Sequence, residues 1–594
     1  MRVKLIIYFV ISVCLLLLIR VYYLSIKSNT YYEELSKKNY IKTKYKVAPR
    51  GAILDRNGKI LAQNKIGFSI LVKPHMRKIK YKKDLEKLLH KINQYFPKYT
   101  YKKLYKQYKK NDSIYKHNYI TVVDHIAYDD FFPHYAKFST SEFVKIESSG
   151  KRYYPYKDVA AHILGYTGKV NKKDISKDKD KIHYKSIGRS GLERYYNDTL
   201  QGSLGKKQVK VNALYNVIEE LNETKSKSED IKISIDIDLQ SYIHNLFKGK
   251  AGAVIVMDIK TGEILSAGSF PEFDNNIFVN GVSYKKWQEI ITDLNHPFTN
   301  KLVNGLYPPG STIKMGTAMS MLDNGIKTNF NVHCSGVIKL GKRKFRCWKH
   351  YGHGKTNFRK AIRESCDDFF YKGSLKIGIN KISKTLDKFG FGQQTGVDQP
   401  NEFRGVNPNK FWKNKKYNQP WYIGETVVSS IGQGFIAVTP MQIARYTASM
   451  AYGMLPKPHF KIDNNLIDNI NLNLNKKYLK IIQNGMYDVV NAKKGTAKKH
   501  MNSKIQIAGK TGTAQVVGIP QEEKKRMKES ELKYFNRSHA WLTTYAPFKN
   551  PKYVVTVLVE HGGHGGSAAG QMVTKIYNKL IELDYIDFRG SISQ

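Results

Sequence analysis

A serine and a lysine three residues apart, Ser311 and Lys314 in Pro309-Gly310-Ser311-Thr312-Ile313-Lys314, carry the first chemistry visible in this 594-residue chain. On a helix, residues three apart share a face, so the amine can take the hydroxyl proton as the serine attacks a carbonyl. Ile313, Met315, Ala318, Met319, Met321 and Leu322 form a broad apolar stripe that ends at the Asn324-Gly325 turn signal. The spacing therefore predicts a buried helix beginning at Ser311. Desolvation and nearby positive groups would keep part of the Lys314 population neutral, as a base requires. Alone, Ser-x-x-Lys is a common pattern, and a helix cap or surface pair accounts for most matches.

Two further groups change that balance. Ser365-Cys366-Asp367 falls in a helical pattern from Ala361 to Leu375, and Lys510-Thr511-Gly512-Thr513 interrupts an alternating run that begins near Ile505. Ser365 can relay a proton between Lys314, Lys510 and a leaving amine. Asp367 can position the lysines or a substrate amide through charge-assisted hydrogen bonds. A strand would put Thr511 and Thr513 on one face, where they and Lys510 can hold a terminal carboxylate, while Gly512 admits close backbone approach. Backbone N–H groups of Ser311 and Thr513 would form an oxyanion hole, where one donor is worth roughly 3 kcal/mol. Singly, each group reads as ordinary polar sequence; the ordered set reads as serine acyl transfer.

The elements needed to hold this set are visible around it. Ala251 to Asp258, His539 to Tyr545 and Tyr553 to Val559 read as strands, and Ala568 to Leu580 as a terminal helix packed on an antiparallel sheet. Ile231, Ile233, Ile235 and Ile237 alternate with polar residues and predict another strand, with a helix from Leu239. The Lys/Glu/Ser-rich run Glu219 to Glu229 ahead of it places a boundary at 225–235. Asp55-Arg56-Asn57-Gly58, between short apolar segments, predicts a hairpin.

The amino terminus supplies an anchor. Leu5 to Ile19 is almost wholly apolar and, with Val21 to Leu24, approaches the ~20 residues that span a bilayer. A cleavable signal is the alternative, but no small-x-small site follows. The chain is expected to divide into a cytoplasmic tail and transmembrane anchor (1–24), an elongated pedestal (25–229) and an α+β catalytic domain (230–594). Its 99 Lys and Arg against 49 Asp and Glu give a formal charge of +50. That charge is spread along the chain without a nucleic-acid module, which favours attraction to anionic membrane or wall polymers over nucleic-acid binding.

With these residues the chain resembles class B penicillin-binding proteins, and its catalytic motifs are shared with serine β-lactamases. Arg50-Gly51-Ala52-Ile53-Leu54-Asp55-Arg56-Asn57-Gly58 and Gly188-Arg189-Ser190-Gly191-Leu192-Glu193 look like pedestal elements of that family. Asp367 departs from the usual Ser-x-Asn and looks like the elongation-specific penicillin-binding protein 2 branch. The resemblance implies a peptidoglycan D,D-transpeptidase anchored in the inner membrane, with its catalytic domain in the periplasm and no cofactor in catalysis. Ser311 would be acylated by a D-Ala-D-Ala stem peptide or by a β-lactam. A SEDS-type glycosyltransferase and the elongation scaffold protein are the implied partners.

Cys334, Cys347, His353 and Cys366 add a metal expectation, leaving Cys14 alone in the anchor. Three thiolates and an imidazole suit tetrahedral structural zinc, with His333 and His350 as substitutes for His353. A Cys334–Cys347 disulfide and unpaired thiols are the alternatives in an exported protein. Three rival functions share the serine motifs: a division-specific transpeptidase, a membrane-linked β-lactamase and a non-enzymatic β-lactam sensor.

Overall fold

The computed structural model describes residues 2–115, 118–212, 217–279, 281–463, 468–518 and 528–587. The chain forms two compact units, one of residues 1–51, 169–186 and 198–229, the other of 52–168, 187–197 and 230–594.

The first unit begins with the helix Arg2–Tyr22, which continues as a π-helical turn, Tyr23–Lys27. Together they are long and apolar enough to cross a membrane, and none of the apolar span is buried by the rest of the protein. Beyond it, Ile41–Lys46, Gly205–Val211 and Val217–Thr224 form an antiparallel three-stranded sheet. All eight residues of Val217–Thr224 are exposed. Its glutamates meet lysines across the sheet, with Glu223 2.5 Å from Lys46 and Glu220 paired to Lys207. Opposite charges on paired strands favour the ladder. The first half of the run that composition presents as a linker is therefore a strand.

In the second unit Ile53–Leu54 pairs antiparallel with Ile60–Val72 and parallel with Ile231–Lys232. Asp55 organises the expected turn, its Oδ1 accepting from the N–H groups of Asn57 and Lys59 at 2.8 and 2.7 Å. This pairing draws 52–168 into the same compact unit as 230–594. The alternating isoleucines from 231 onward do not form one long strand. Pairing stops at Lys232, and Asp236 caps the helix Ile237–Leu246 by accepting from Asp238 and Leu239 N–H. Helices Ile79–Tyr95 and Tyr101–Asn111 pack their apolar faces on Ile60–Val72, Ile120–Ala127 and Val144–Tyr153, around Ile70, Val72, Leu89, Tyr108 and Phe131.

The catalytic sheet is antiparallel, in the spatial order Ile264–Phe270, Gly252–Asp258, Tyr553–Val559, His539–Ala546, Ala508–Ala514. Its inner strand Tyr553–Val559 is buried at every residue, as its run of β-branched and apolar side chains requires. The helix Gly565–Glu582 packs on the sheet, and Lys314–Asp323 is buried from Lys314 to Leu322. Ala508–Ala514 is the edge strand, with Lys510 opposite Thr543 and Thr513 opposite Ala540. The site is built at this edge.

Candidate active site

Ser311 lies in a short 3-10 turn, Gly310–Ile313, and the α-helix begins only at Lys314. The tightening follows from Gly310, whose φ of +52° turns the chain, and from Thr312 Oγ1 donating to Pro309 O at 2.8 Å. A Cβ on Gly310 would stand 2.7 Å from Thr513 O. Glycine is thus required for the nucleophile segment to lie against the edge strand. On the strand side, a Cβ on Gly512 would meet Pro309 O at 3.0 Å and Thr312 Cγ2 at 2.9 Å. Ser311 remains half-buried at this contact.

Ser365 is not inside a helix. One helix ends at Arg363 and another starts at Asp367, and Ser365 sits in the break with a φ of +53°. A serine in the left-handed region is held there by its surroundings. Its Oγ accepts from Lys314 Nζ at 3.2 Å and from Lys510 Nζ at 3.0 Å. Its carbonyl accepts from Lys314 Nζ at 2.9 Å. Both lysines are fully buried. Burial, with the Lys314 charge adding to it, drives the Lys510 amine well below the ordinary lysine range, against the opposing pull of Asp367.

Asp367 is buried and committed at both oxygens: Oδ1 accepts from Lys314 Nζ at 2.6 Å and Oδ2 from Trp348 N–H at 2.8 Å. Burial raises its carboxyl despite the neighbouring ammonium. Of the residues expected to hold substrate, Thr511 is buried with its hydroxyl 2.7 Å from that of Thr496, and Thr513 is half-buried with its carbonyl accepting from Gln433 Nε2 at 3.2 Å. Sequence reasoning missed Trp348 and Gln433. The Trp348 indole N–H reaches Glu364 O and Ser365 O at 3.0 and 3.1 Å. The only signal for it is its position directly after Cys347.

Cys334, Cys347, His353 and Cys366 converge although they span 32 positions. Their ligand atoms all lie within 4.8 Å of one another, all four residues are buried, and the cysteines are free thiols. His353 Nδ1 stands 3.6 Å from Cys334 Sγ and 3.5 Å from Cys347 Sγ. His333 and His350 are exposed. Hydrogen bonds from the Cys347 and Cys366 thiols pull Cys334 down to about 3. Three crowded sulfurs and one ring nitrogen fit a four-coordinate soft cation.

The chain matches the penicillin binding protein transpeptidase domain over residues 252–582 and the penicillin-binding protein dimerisation domain over 45–232. It is 33% identical over 583 residues to the peptidoglycan D,D-transpeptidase MrdA of Haemophilus influenzae, covering 94% of this chain and 88% of that one. Identity to the Acinetobacter baumannii MrdA is 35% over 584 residues, 94% of this chain and 84% of that one. A solved complex of penicillin-binding protein PBP2 and MreC from Helicobacter pylori superposes with a TM-score of 0.84 at 41% identity, covering 92% of this chain and 100% of that chain. The chain belongs to the penicillin-binding protein transpeptidase family, as a class B member of its elongation-type PBP2 branch.

Proposed function

We propose that this chain is the peptidoglycan D,D-transpeptidase of cell elongation, with Ser311 as the nucleophile toward D-Ala-D-Ala stem peptides. The observation that carries the reading is one hydroxyl, that of Ser365, joined to two buried amines at 3.2 and 3.0 Å beside the segment that bears Ser311. Lys314 first hands a proton through the Ser365 hydroxyl to the Lys510 amine, and then takes the Ser311 proton as Ser311 Oγ attacks the donor carbonyl. The tetrahedral intermediate collapses as the C–N bond breaks, and Ser365 relays a proton to the departing D-Ala amine. The amine of a second stem peptide then attacks the ester, loses a proton to the same base and releases Ser311. Lys510 serves the relay and the donor's carboxylate, together with Thr511, Gly512 and Thr513. Backbone N–H groups of Ser311 and Thr513 face the developing oxyanion; the contact of Gly310 with Thr513 supports this assignment. Asp367 holds Lys314 rather than substrate, being buried with Lys314 Nζ 2.6 Å from one oxygen and the Trp348 N–H 2.8 Å from the other.

A β-lactam presents a strained amide to the same serine and stays as the ester. The helix Arg2–Tyr22 anchors the chain in the inner membrane as a single pass, leaving the catalytic unit in the periplasm. Elongation is supported by relatives named MrdA and PBP2, and the PBP2–MreC complex supports a scaffold partner of that kind. A SEDS-type glycosyltransferase is the second partner. Zinc, when bound by Cys334, Cys347, His353 and Cys366, would be structural, because four protein ligands close its coordination. Labelling with a fluorescent penicillin, peptide mapping and a Ser311→Ala control test the site. Label on Ser311 is expected, and label retained in the alanine variant overturns the assignment. Depletion in cells should give rounding, and filamentation would refute the elongation role.

A further inference from the structure

Outside the motifs, a largely buried charge cluster sits just past the end of the strand Tyr553–Val559. Glu560 directly follows the strand Tyr553–Val559, and its backbone N–H is held by Ala251 O at 2.8 Å. Its Oε2 accepts from Lys301 Nζ at 2.5 Å and its Oε1 from the Tyr307 hydroxyl at 2.5 Å. Lys301 is 2% exposed, and its Nζ also donates to Phe270 O and Asn295 O, both at 2.8 Å. Its three donors are therefore all satisfied. Burial and the Glu560 charge raise the Tyr307 phenol well above its ordinary value, which keeps it a donor.

Tyr307 is four residues before Ser311, and the backbone is held at Tyr307, Pro308 and Gly310. Tyr307 exchanges both backbone hydrogen bonds with Val438 at 2.9 Å, Trp541 Nε1 donates to Pro308 O at 3.1 Å, and Gly310 N–H donates to Gly432 O at 2.9 Å. We infer that Glu560 is a positioning residue for Ser311: by gripping Lys301 and Tyr307 together it fixes the strut 301–311 to the end of the central strand, so that the nucleophile keeps its register against Lys314. The inference rests on the proposed role of Ser311 and adds a residue that no catalytic motif contains. A buried ion pair is weak evidence for stability alone, and this one also grips the segment that leads to the nucleophile.

The test uses the full-length protein and stopped-flow acylation by a fluorescent penicillin, resolved into reversible affinity and acylation rate constant, with the labelled peptide mapped. Tyr307→Phe removes one hydroxyl and leaves the Lys301–Glu560 pair intact. Its acylation rate constant should fall about tenfold, with affinity within about twofold, because small misplacements of reacting atoms act on the chemical step. Glu560→Gln should fall at least as far, and adding Tyr307→Phe to it should cost little more, since both act through one contact. A merely structural role would lower the melting temperature and active fraction while leaving the rate per active site unchanged. A wild-type rate constant in Tyr307→Phe overturns the inference, and this variant decides the matter even if Glu560→Gln fails to fold. Wild-type label on a residue other than Ser311 overturns the underlying reading instead.

Discussion

Replacing Ser365 by alanine tests the relay at its narrowest point. The hydroxyl makes two hydrogen bonds to amines, at 3.2 Å to Lys314 and 3.0 Å to Lys510. After the change Lys314 still has Ser365 O and Asp367, while Lys510, among the described residues, keeps its contact with Thr511 O. Bonds to charged groups contribute about 1.5–3 kcal/mol each, so the folded site loses at most ~3–6 kcal/mol. The larger effect falls on the reaction, where a positioned acid–base group supplies roughly 10²–10⁴-fold. Acylation by a fluorescent penicillin should slow by that factor, while crosslinking of a donor and an acceptor stem peptide should fall below detection. Backbone strain needs its own control, because Ser365 has a φ of +53°. Glycine relieves that strain, by about 1 kcal/mol, and also lacks the hydroxyl. Ser365→Gly and Ser365→Ala should therefore lose rate equally while differing in stability. A Ser365→Ala rate within about threefold of wild type would refute the relay.

Three other outcomes follow from the same geometry. Asp367→Asn breaks a buried ion pair, at a cost of about 3–5 kcal/mol that a thermal melt would register; an unchanged melt refutes the pairing. Purified protein should hold one zinc per chain by elemental analysis, and Cys334→Ser should lose both zinc and thermal stability; a metal-free protein with a Cys334–Cys347 disulfide by mass spectrometry refutes the site. At a joint remote from the site, Glu272 and His244 lie 2.6 Å apart, with Asp158 3.6 Å from the other ring nitrogen. Burial pushes Glu272 from 4.5 up to about 7, and its hydrogen bond raises His244 above 6.5. Both folded values exceed the unfolded ones, so this contribution to stability is fully present below about 4.5 and is lost as pH rises through about 7, where the raised His244 also begins to lose its proton. Glu272→Gln should flatten the melting temperature across that window.

What could be read from the chain was local, and what could not be read depended on distant partners. The Lys314–Asp323 helix and the strands His539–Ala546 and Tyr553–Val559 announce themselves by apolar period, because each buries a regular face. The break at Ser365 has no such mark. Its left-handed conformation is imposed by Lys314, Lys510 and Trp348, which lie 17 or more positions away and satisfy its oxygens. The strand Val217–Thr224 was obscured for a related reason: its glutamates look like linker until the lysines opposite them are known. Lys301 and Glu560, 259 positions apart, carried no local signal at all.

The aspartate that replaces the family's usual asparagine has a physical explanation here. Two donors converge on residue 367, the Lys314 ammonium at 2.6 Å and the Trp348 N–H at 2.8 Å. An ionised carboxylate is acceptor-only and can meet both, whereas an amide offers one oxygen and would turn its NH₂ toward the other donor. The second donor comes from the loop bearing Cys347, and Asp367 N–H in turn lies 3.4 Å from Cys347 Sγ. Asp367 is thus fitted to the cysteine loop as well as to the lysine. If that is why aspartate is present, asparagine at 367 should be tolerated better when the Trp348 N–H is removed as well. Measured against Trp348→Phe, which loses the indole bonds to Glu364 O and Ser365 O but keeps the backbone N–H, Trp348→Pro in an Asp367→Asn background should then cost less than the two single losses combined, and strict additivity would show that the loop and the carboxylate act independently.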